Sequence, residues 1–301
     1  MELRVSPKNG VKLYSNLMNT EDEYSSEHKI KHPADIFRVS IEKLDSAFDD
    51  LLLMKESHAS DPRKEKAIFN YILELDAFYD RLLLIMKGMT APSQEDNKDV
   101  TKWLTNNNAN QYNQFKDATA KPHNIIRKAA NGIKHDTLAV EYLTVNNHKN
   151  IQVEGFYFSN IVGDDELIGP EPEIHKSYKD SSTAFSNDYF IRYTAGFVAS
   201  CIFHLNHILF KGCKNKPSKF DVLHSYFTKK QVSGQLLFPN EYNSDVASFK
   251  EDSNSIIIKY PSKEKRDVNV DLIASVRPFF RINQRTSRSN NQMPYFKLLS
   301  K

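Results

Sequence analysis

The sequence predicts a mainly α protein, a helical bundle with a small β-hairpin insertion and a smaller mixed α/β C-terminal region. Apolar residues recur at helical spacing over 33–88, a long apolar helical segment covers 183–211, and the strand-like runs are short. Glycine supplies only 9 of the 301 residues, against a usual share of about 7%. This scarcity argues against glycine-rich phosphate loops and turn-dense β-barrels.

Composition favours a globular protein of the cytoplasm. Hydrophobic residues make up 40% of the chain and charged residues 26%, close to the globular average. Two cysteines exclude a disulfide scaffold and fit a reducing compartment. The N-terminus lacks the apolar region of a signal peptide, and no apolar run approaches the roughly 18 residues of a membrane helix. We therefore expect a cytoplasmic protein with no membrane association.

Two amphipathic helices open the predicted bundle. The first starts at Pro33, and the second is capped by Asp61 with Pro62 in its first turn. Their apolar faces comprise Phe37, Ile41, Leu44, Phe48 and Leu51 in the first, and Ile68, Ile72, Leu75, Tyr79, Leu82 and Met86 in the second. Joined by a short loop, they are expected to form an antiparallel hairpin that further helices cover.

The rest of the bundle is predicted from weaker signals. A third helix is expected over about 98–117, with an irregular middle in the asparagine-rich run 105–114. A fourth starts at Lys121-Pro122 and runs to about residue 144. A β insertion follows near 150–170, and the apolar helix within 183–211 is expected to lie at the centre of the bundle.

Three regions are expected along the chain. Residues 1–32 form an N-terminal extension without firm structure, 33–213 form the bundle, and 214–301 form the basic C-terminal α/β region with strands at 255–260 and 268–276. Residues 256–301 hold ten Lys and Arg against three Asp and Glu, whereas the whole chain carries only +3. The positive charge is thus concentrated at the C-terminal end.

A polar stripe on the fourth predicted helix is the candidate site. Arg127, Asn131 and His135 are spaced at i, i+4 and i+8, which covers about 80° of the helix surface. Lys134 lies on the same flank as Arg127. Gly132 in this helix costs about 1 kcal/mol relative to alanine, and marks either a close approach or a local weakness.

The segment from Asn131 to His135, which reads NxxKH, resembles the signature of the HEPN superfamily (higher eukaryotes and prokaryotes nucleotide-binding). The family pattern is an Arg, a polar residue, three further residues and a His on a bundle helix. Here Ala130 stands in the place of the family's Arg, and Arg127 is inferred to supply the guanidinium from one turn earlier. The resemblance extends over 33–213. It implies a metal-independent ribonuclease that works as a homodimer, in a bacterial toxin or antiphage defence system.

The predicted roles follow from the chemistry of RNA cleavage. An imidazole, with an ordinary pKa near 6.5, can take the ribose 2′-hydroxyl proton, so His135 is the candidate base. Arg127 and Lys134 would bind the phosphate, with Lys128 beside them, and Asn131 would position the imidazole or the phosphate. Two alternatives remain open: these side chains link helices with no chemistry, or they bind RNA or a nucleotide without cleaving it.

The C-terminal region contributes a second candidate surface. Arg277, Arg281, Arg285 and Arg288 are interleaved with aromatic residues, a pattern typical of nucleic-acid binding. A solvated charged face is the alternative.

No cofactor or metal is expected. Cys201, His204 and His207 drift by 60° per step around a helix, which scatters them and, with Cys213, makes a zinc site unfavourable. The predicted function is a HEPN-like protein that acts on RNA. The alternative is an inactive scaffold or nucleotide sensor that binds a protein partner, and a metal-dependent hydrolase is disfavoured.

Overall fold

The architecture combines a helical bundle with a five-stranded antiparallel sheet and a separate two-stranded antiparallel sheet, which confirms the mainly α class. The computed structural model describes residues 7–55, 62–93, 98–146, 152–162, 167–213, 226, 236–241, 248–252, 255–259, 281–285 and 292–299. The helices are α1 (Pro7–Met18), α2 (Glu23–Glu27), α3 (Pro33–Lys55), α4 (Pro62–Gly88), α5 (Val100–Asn107), α6 (Ala109–Lys134), α7 (Asn187–Leu209) and α8 (Phe296–Leu299). The strands are β1 (Ala139–Asn146), β2 (Gln152–Val162), β3 (Leu167–Pro170), β4 (Phe185–Ser186), β5 (Ser248–Asp252), β6 (Ser255–Lys259) and β7 (Arg281–Arg285).

The α3–α4 pair is the most extensive helix contact, and α6 and α7 pack on it as expected from the two apolar faces. Phe37, Ile41, Leu44, Leu75 and Leu82 are fully buried in this interface. Helix α7 is buried around most of its surface, which confirms the predicted central helix. No helix in the described part of the chain has both the length and the apolar character that a bilayer crossing requires.

Two predicted boundaries on either side of the candidate site are wrong. The break in the asparagine-rich run occurs at Asn108, so α6 begins at Ala109 and contains Pro122 within it. Helix α6 also ends at Lys134, ten residues before the predicted end. The segment Ala139–Asn146 is a strand because its aromatic and β-branched residues alternate between two buried layers.

The β insertion is larger than the predicted hairpin. Strands β3, β2, β1 and β7 lie in that order, all antiparallel, and β4 also pairs with β2. One face of the sheet packs on the helices through Val140, Phe156 and Phe158. The opposite face carries a second core whose members are Leu143, Val145, Val153, Tyr157, Ala184, Phe238 and Tyr295. Burial on both faces makes the sheet part of the main fold.

Helix α1 and parts of the C-terminal region pack with the bundle and the sheet. In α1, Leu13 and Leu17 are fully buried against the bundle, and the Asn16 side chain donates to the Asn206 side chain at 3.0 Å. From the C-terminal region, Tyr226 enters the helical core and β7 extends the sheet beside β1. The predicted strand at 255–260 is confirmed by β6, whereas 268–276 lies outside the described residues.

A buried carboxylate attaches the segment 236–241 to the start of α7. Glu241 accepts hydrogen bonds from the Ser186 backbone N–H at 2.7 Å, the Ser186 hydroxyl at 2.6 Å and the Phe238 N–H at 2.7 Å. Ser186 is itself the N-cap of α7, accepting from the Tyr189 N–H at 3.1 Å. Burial raises the pKa of Glu241 to about 8, although its three donors oppose this shift.

The raised pKa predicts a pH-dependent stability. Between about 4.5 and 8 the folded protein holds a proton on Glu241 that the unfolded chain releases, so this group's contribution falls as pH rises. Urea titrations at pH 6.5 to 8 should show that the free energy of unfolding declines as pH rises. In Glu241→Gln this decline should be shallower by up to about 1.4 kcal/mol per pH unit. Glu27→Gln, an exposed control, should retain the wild-type slope, and equal slopes in all three proteins would contradict the assignment.

Candidate functional site

The predicted stripe lies on the C-terminal half of α6, opposite α4. Asp76 of α4 is 1% exposed and points its carboxylate at α6. Its Oδ2 accepts from Arg127 Nη1 at 3.1 Å and from Lys134 Nζ at 2.9 Å. Since the two donors share one oxygen, the structure brings these two predicted phosphate binders together around a carboxylate of the protein itself.

Arg127 makes a second ion pair at the protein surface. Its Nη2 donates to Asp80 Oδ1 at 2.6 Å, and Asp80, one turn after Asp76 on α4, is 50% exposed. Partial burial disfavours the charged guanidinium, but the hydrogen bond to Asp80 and the charge of Asp76 outweigh it and raise the pKa of Arg127. The Arg127 guanidinium is therefore permanently charged and paired on both sides.

Asn131 and His135 lie on the same helix but face solvent. Both are exposed, and within the described residues no hydrogen bond to either side chain is formed. The two residues are linked through the backbone, where the His135 N–H donates to the Asn131 carbonyl at 3.1 Å. Two residues of the stripe, Arg127 and Lys134, therefore pair with α4. The other two, Asn131 and His135, are accessible to solvent.

The position of His135 is set by the way α6 ends. His135 is the C-cap, Asp136 follows at φ 51°, and the Thr137 N–H donates to the Gly132 carbonyl at 2.9 Å while the Asp136 N–H donates to Ile133 at 3.2 Å. These bonds form a Schellman motif. A Cβ on Gly132 would come within 2.4 Å of the Leu138 side chain. Gly132, in the last turn of α6, therefore permits the close approach of Leu138 as the chain turns into β1.

His123 is a neighbour of the site that sequence reasoning missed. It is one turn before Arg127, its side chain is 13% exposed, and its ring stacks on Tyr79 with centroids 3.5 Å apart. Its Nε2 lies 3.9 Å from Asp76 Oδ1, and neither atom has a hydrogen-bond partner among the described residues. Burial, reinforced by the charge of Arg127, lowers the pKa of His123 to about 3, so the imidazole is neutral.

Asp76 and Asp80 were also not predicted from the sequence, although their spacing gives a partial indication of them. Asp76 and Asp80 are spaced at i, i+4 within the second amphipathic helix, and His123 extends the i, i+4 series of Arg127, Asn131 and His135. A carboxylate on the apolar side of this helix indicates a partner of opposite charge, because a buried carboxylate is costly alone. Nothing in the sequence shows which cations pair with it.

The other predicted nucleic-acid contacts are placed only in part. The Lys128 side chain, 41% exposed, pairs with Glu173 at 2.9 Å, a hydrogen bond that raises the pKa of Lys128. The backbones of Arg281 and Arg285 pair with Asn146 and Tyr142 of β1. The structure does not describe the side chains of these two arginines. Arg277 and Arg288 lie outside the described residues.

The structure also locates the cysteines considered for zinc. Cys201 is buried within α7, whereas Cys213 is exposed beyond the end of the helix. Within the described ranges no group of three or more His, Cys, Asp and Glu residues is arranged to hold a metal ion.

Comparisons with known proteins gave no match: no family model, no curated protein and no solved structure is significantly similar to this chain. The resemblance to the HEPN superfamily therefore stays a prediction that rests on the α6 motif.

The buried acid predicts an asymmetric response to charge removal. Asp76→Asn should lower the free energy of unfolding by roughly 2–3 kcal/mol. This is less than the ~3–5 kcal/mol of a fully buried broken pair, because Arg127 and Lys134 can rehydrate. Asp80→Asn, at an exposed pair, should cost less than about 1 kcal/mol. Urea denaturation at pH 7 compares the two variants, and equal losses would contradict the central role of Asp76.

The neutral His123 predicts a loss of stability in acid. The unfolded chain binds a proton near pH 6.5 and the folded protein only near pH 3, so the contribution of His123 is complete above pH 6.5 and falls as pH is lowered. His123→Phe preserves the ring stack and removes the proton site. Urea titrations from pH 6.5 to 4.5 should show a shallower decline in this variant, and a parallel decline would refute the shift.

Proposed function

We propose that this chain is a HEPN-like protein that acts on RNA as a metal-independent endoribonuclease. The observation that carries the proposal is the exposure of Asn131, Lys134 and His135 together at the C-terminal end of α6, with Arg127 on the same stripe. These are an amide, an ammonium, an imidazole and a guanidinium. The set supplies a proton acceptor and phosphate-binding groups without a metal ion.

Each group has a role in this proposal that its environment allows. His135 takes the ribose 2′-hydroxyl proton, which requires an imidazole that substrate can reach, and its side chain faces solvent. Lys134, 47% exposed, and Arg127, 35% exposed, stabilise the charge on the phosphate. Asn131, one turn before His135, positions the phosphate or the ring.

Basic residues outside the stripe are also part of the proposal. Strand β1 follows α6 directly after the turn at His135, and β7 pairs alongside it with Arg285 opposite Tyr142. The arginines at 277, 281, 285 and 288, with Lys128 on α6, would bind the RNA backbone beyond the cleavage point. The resemblance further implies a homodimer in a bacterial toxin or antiphage system, and sedimentation velocity tests the dimer.

A second function is favoured by the ion pairs of α6. Arg127 and Lys134 both contact Asp76, and Arg127 also contacts Asp80, so these cations link α4 to α6. This supports an inactive scaffold or nucleotide-sensing module that binds a protein partner. Such a protein would show no RNA cleavage, and its Arg127 variants would change mainly stability.

The ribonuclease proposal predicts cleavage that depends on one imidazole. The purified protein should cleave a mixed-sequence RNA in the presence of EDTA, and His135→Ala should reduce the rate by about 10²–10⁴-fold, the usual contribution of general acid–base catalysis. The measurement is the rate of fragment appearance on a denaturing gel, with circular dichroism to verify the fold.

His207→Ala is the matched control, because His207 is an exposed histidine near the end of another helix, α7. It should cleave at the wild-type rate. RNA cleavage that persists in His135→Ala, or that requires Mn²⁺, would reject the mechanism. If the wild-type protein cleaves no RNA, the inactive scaffold is favoured.

A further inference from the structure

The two carboxylates that hold Arg127 differ in their freedom to leave it. Asp76 binds Nη1 from a position 1% exposed and is also bound by Lys134, whereas Asp80 binds Nη2 from a position 50% exposed. Withdrawal of Asp76 would leave a buried charge unpaired, which is costly. Withdrawal of Asp80 returns an exposed carboxylate to water, which costs little.

The position that Asp80 occupies is chemically suited to a phosphate. A guanidinium presents a planar fork that binds carboxylate and phosphate oxygens in the same way. Asp76 binds Nη1 of Arg127 from the interior, and Asp80 binds the guanidinium from the surface, at 2.6 Å from Nη2 and at 3.4 Å from Nη1. A phosphate that reaches Arg127 from solvent therefore meets Asp80 first.

The charges of the cluster strengthen this competition. Arg127 and Lys134 are balanced by Asp76 and Asp80, and His123 is neutral. With Asp80 in place the cluster has no net charge to attract an anion. Once Asp80 has turned away, the surface side of the cluster carries the uncompensated charge of one cation.

We propose that Asp80 is an internal competitor for phosphate at Arg127. A phosphate group displaces Asp80 from Nη2, while Asp76 keeps Nη1 and Lys134 in place. The identity of that phosphate as part of an RNA strand rests on the proposed function. The displacement itself rests on the two ion pairs. The Asp80 contact therefore weakens phosphate binding at Arg127. A substrate must make enough other contacts with the protein to displace Asp80.

The test uses Asp80→Asn, which retains the shape of the side chain and removes its charge. Binding of a fluorescein-labelled, single-stranded RNA oligonucleotide is measured by anisotropy, with EDTA and a non-cleavable 2′-O-methyl backbone. Binding of inorganic tripolyphosphate is measured by calorimetry. Both affinities should rise by about two- to fivefold, the range that an exposed ion pair accounts for.

Two comparisons separate a specific contact from a change in net charge. Asp117→Asn removes the same charge from an exposed position of α6, about ten residues before Arg127, and should leave both affinities at the wild-type value. Arg127→Lys retains the positive charge toward Asp76 but lacks Nη2, the nitrogen that makes the 2.6 Å hydrogen bond to Asp80. In that background Asp80→Asn should give no gain.

The outcomes also distinguish this inference from the proposed function. A gain for tripolyphosphate without RNA binding or cleavage would support the competitor and reject the ribonuclease. RNA cleavage by the wild type with no gain in Asp80→Asn would support the ribonuclease and overturn the competitor. A gain of equal size in Asp117→Asn, a gain that survives Arg127→Lys, or no binding of either probe would also overturn it.

Discussion

The charge of Asp76, buried between α4 and α6, is the constraint on which the candidate site depends. A carboxylate that is 1% exposed must be paired, because its desolvation costs several kcal/mol. Arg127 and Lys134 supply that pairing from two turns of α6, while Ile126 and Ile133 are buried on another side of the helix. Asn131 and His135 lie on the part of the surface that is exposed. The ion pairs therefore link α4 to α6 beside an exposed imidazole.

The way α6 ends determines where His135 lies. The Schellman motif at 132–137 stops the helix at His135, and Leu138 folds back over Gly132 before β1 begins. His135 is thereby held at a helix terminus beside the start of the sheet. Gly132, in the last turn of α6, allows Leu138 to pack closely against the helix, and this contact connects the bundle to the β layer.

The sheet, α1 and the described parts of the C-terminal region share buried cores with the bundle. Phe156 and Phe158 pack on the helices, and Tyr157 on the opposite face packs in the core that contains Phe238 and Tyr295. Glu241 ties the 236–241 segment to the N-cap of α7. Regions that look separate along the chain are therefore joined through buried contacts, and the β7 strand with its arginines is placed beside β1.

Local information in the sequence determined α3 and α4, since their 3.6-residue apolar period records which face is buried. It also determined α7, whose apolar residues on more than one side indicate a covered helix. The same information placed Arg127, Asn131 and His135 on one stripe. It missed α1, whose buried leucines become meaningful only against the bundle, and it extended α6 into β1, because a short apolar run fits either a helix or a strand. Only the tertiary structure decided what the stripe faces. Asp76 is 51 residues from Arg127 along the chain, and ion pairing acts through space. For this reason no local pattern could show that Arg127 and Lys134 would pair with α4 while Asn131 and His135 stay exposed to solvent.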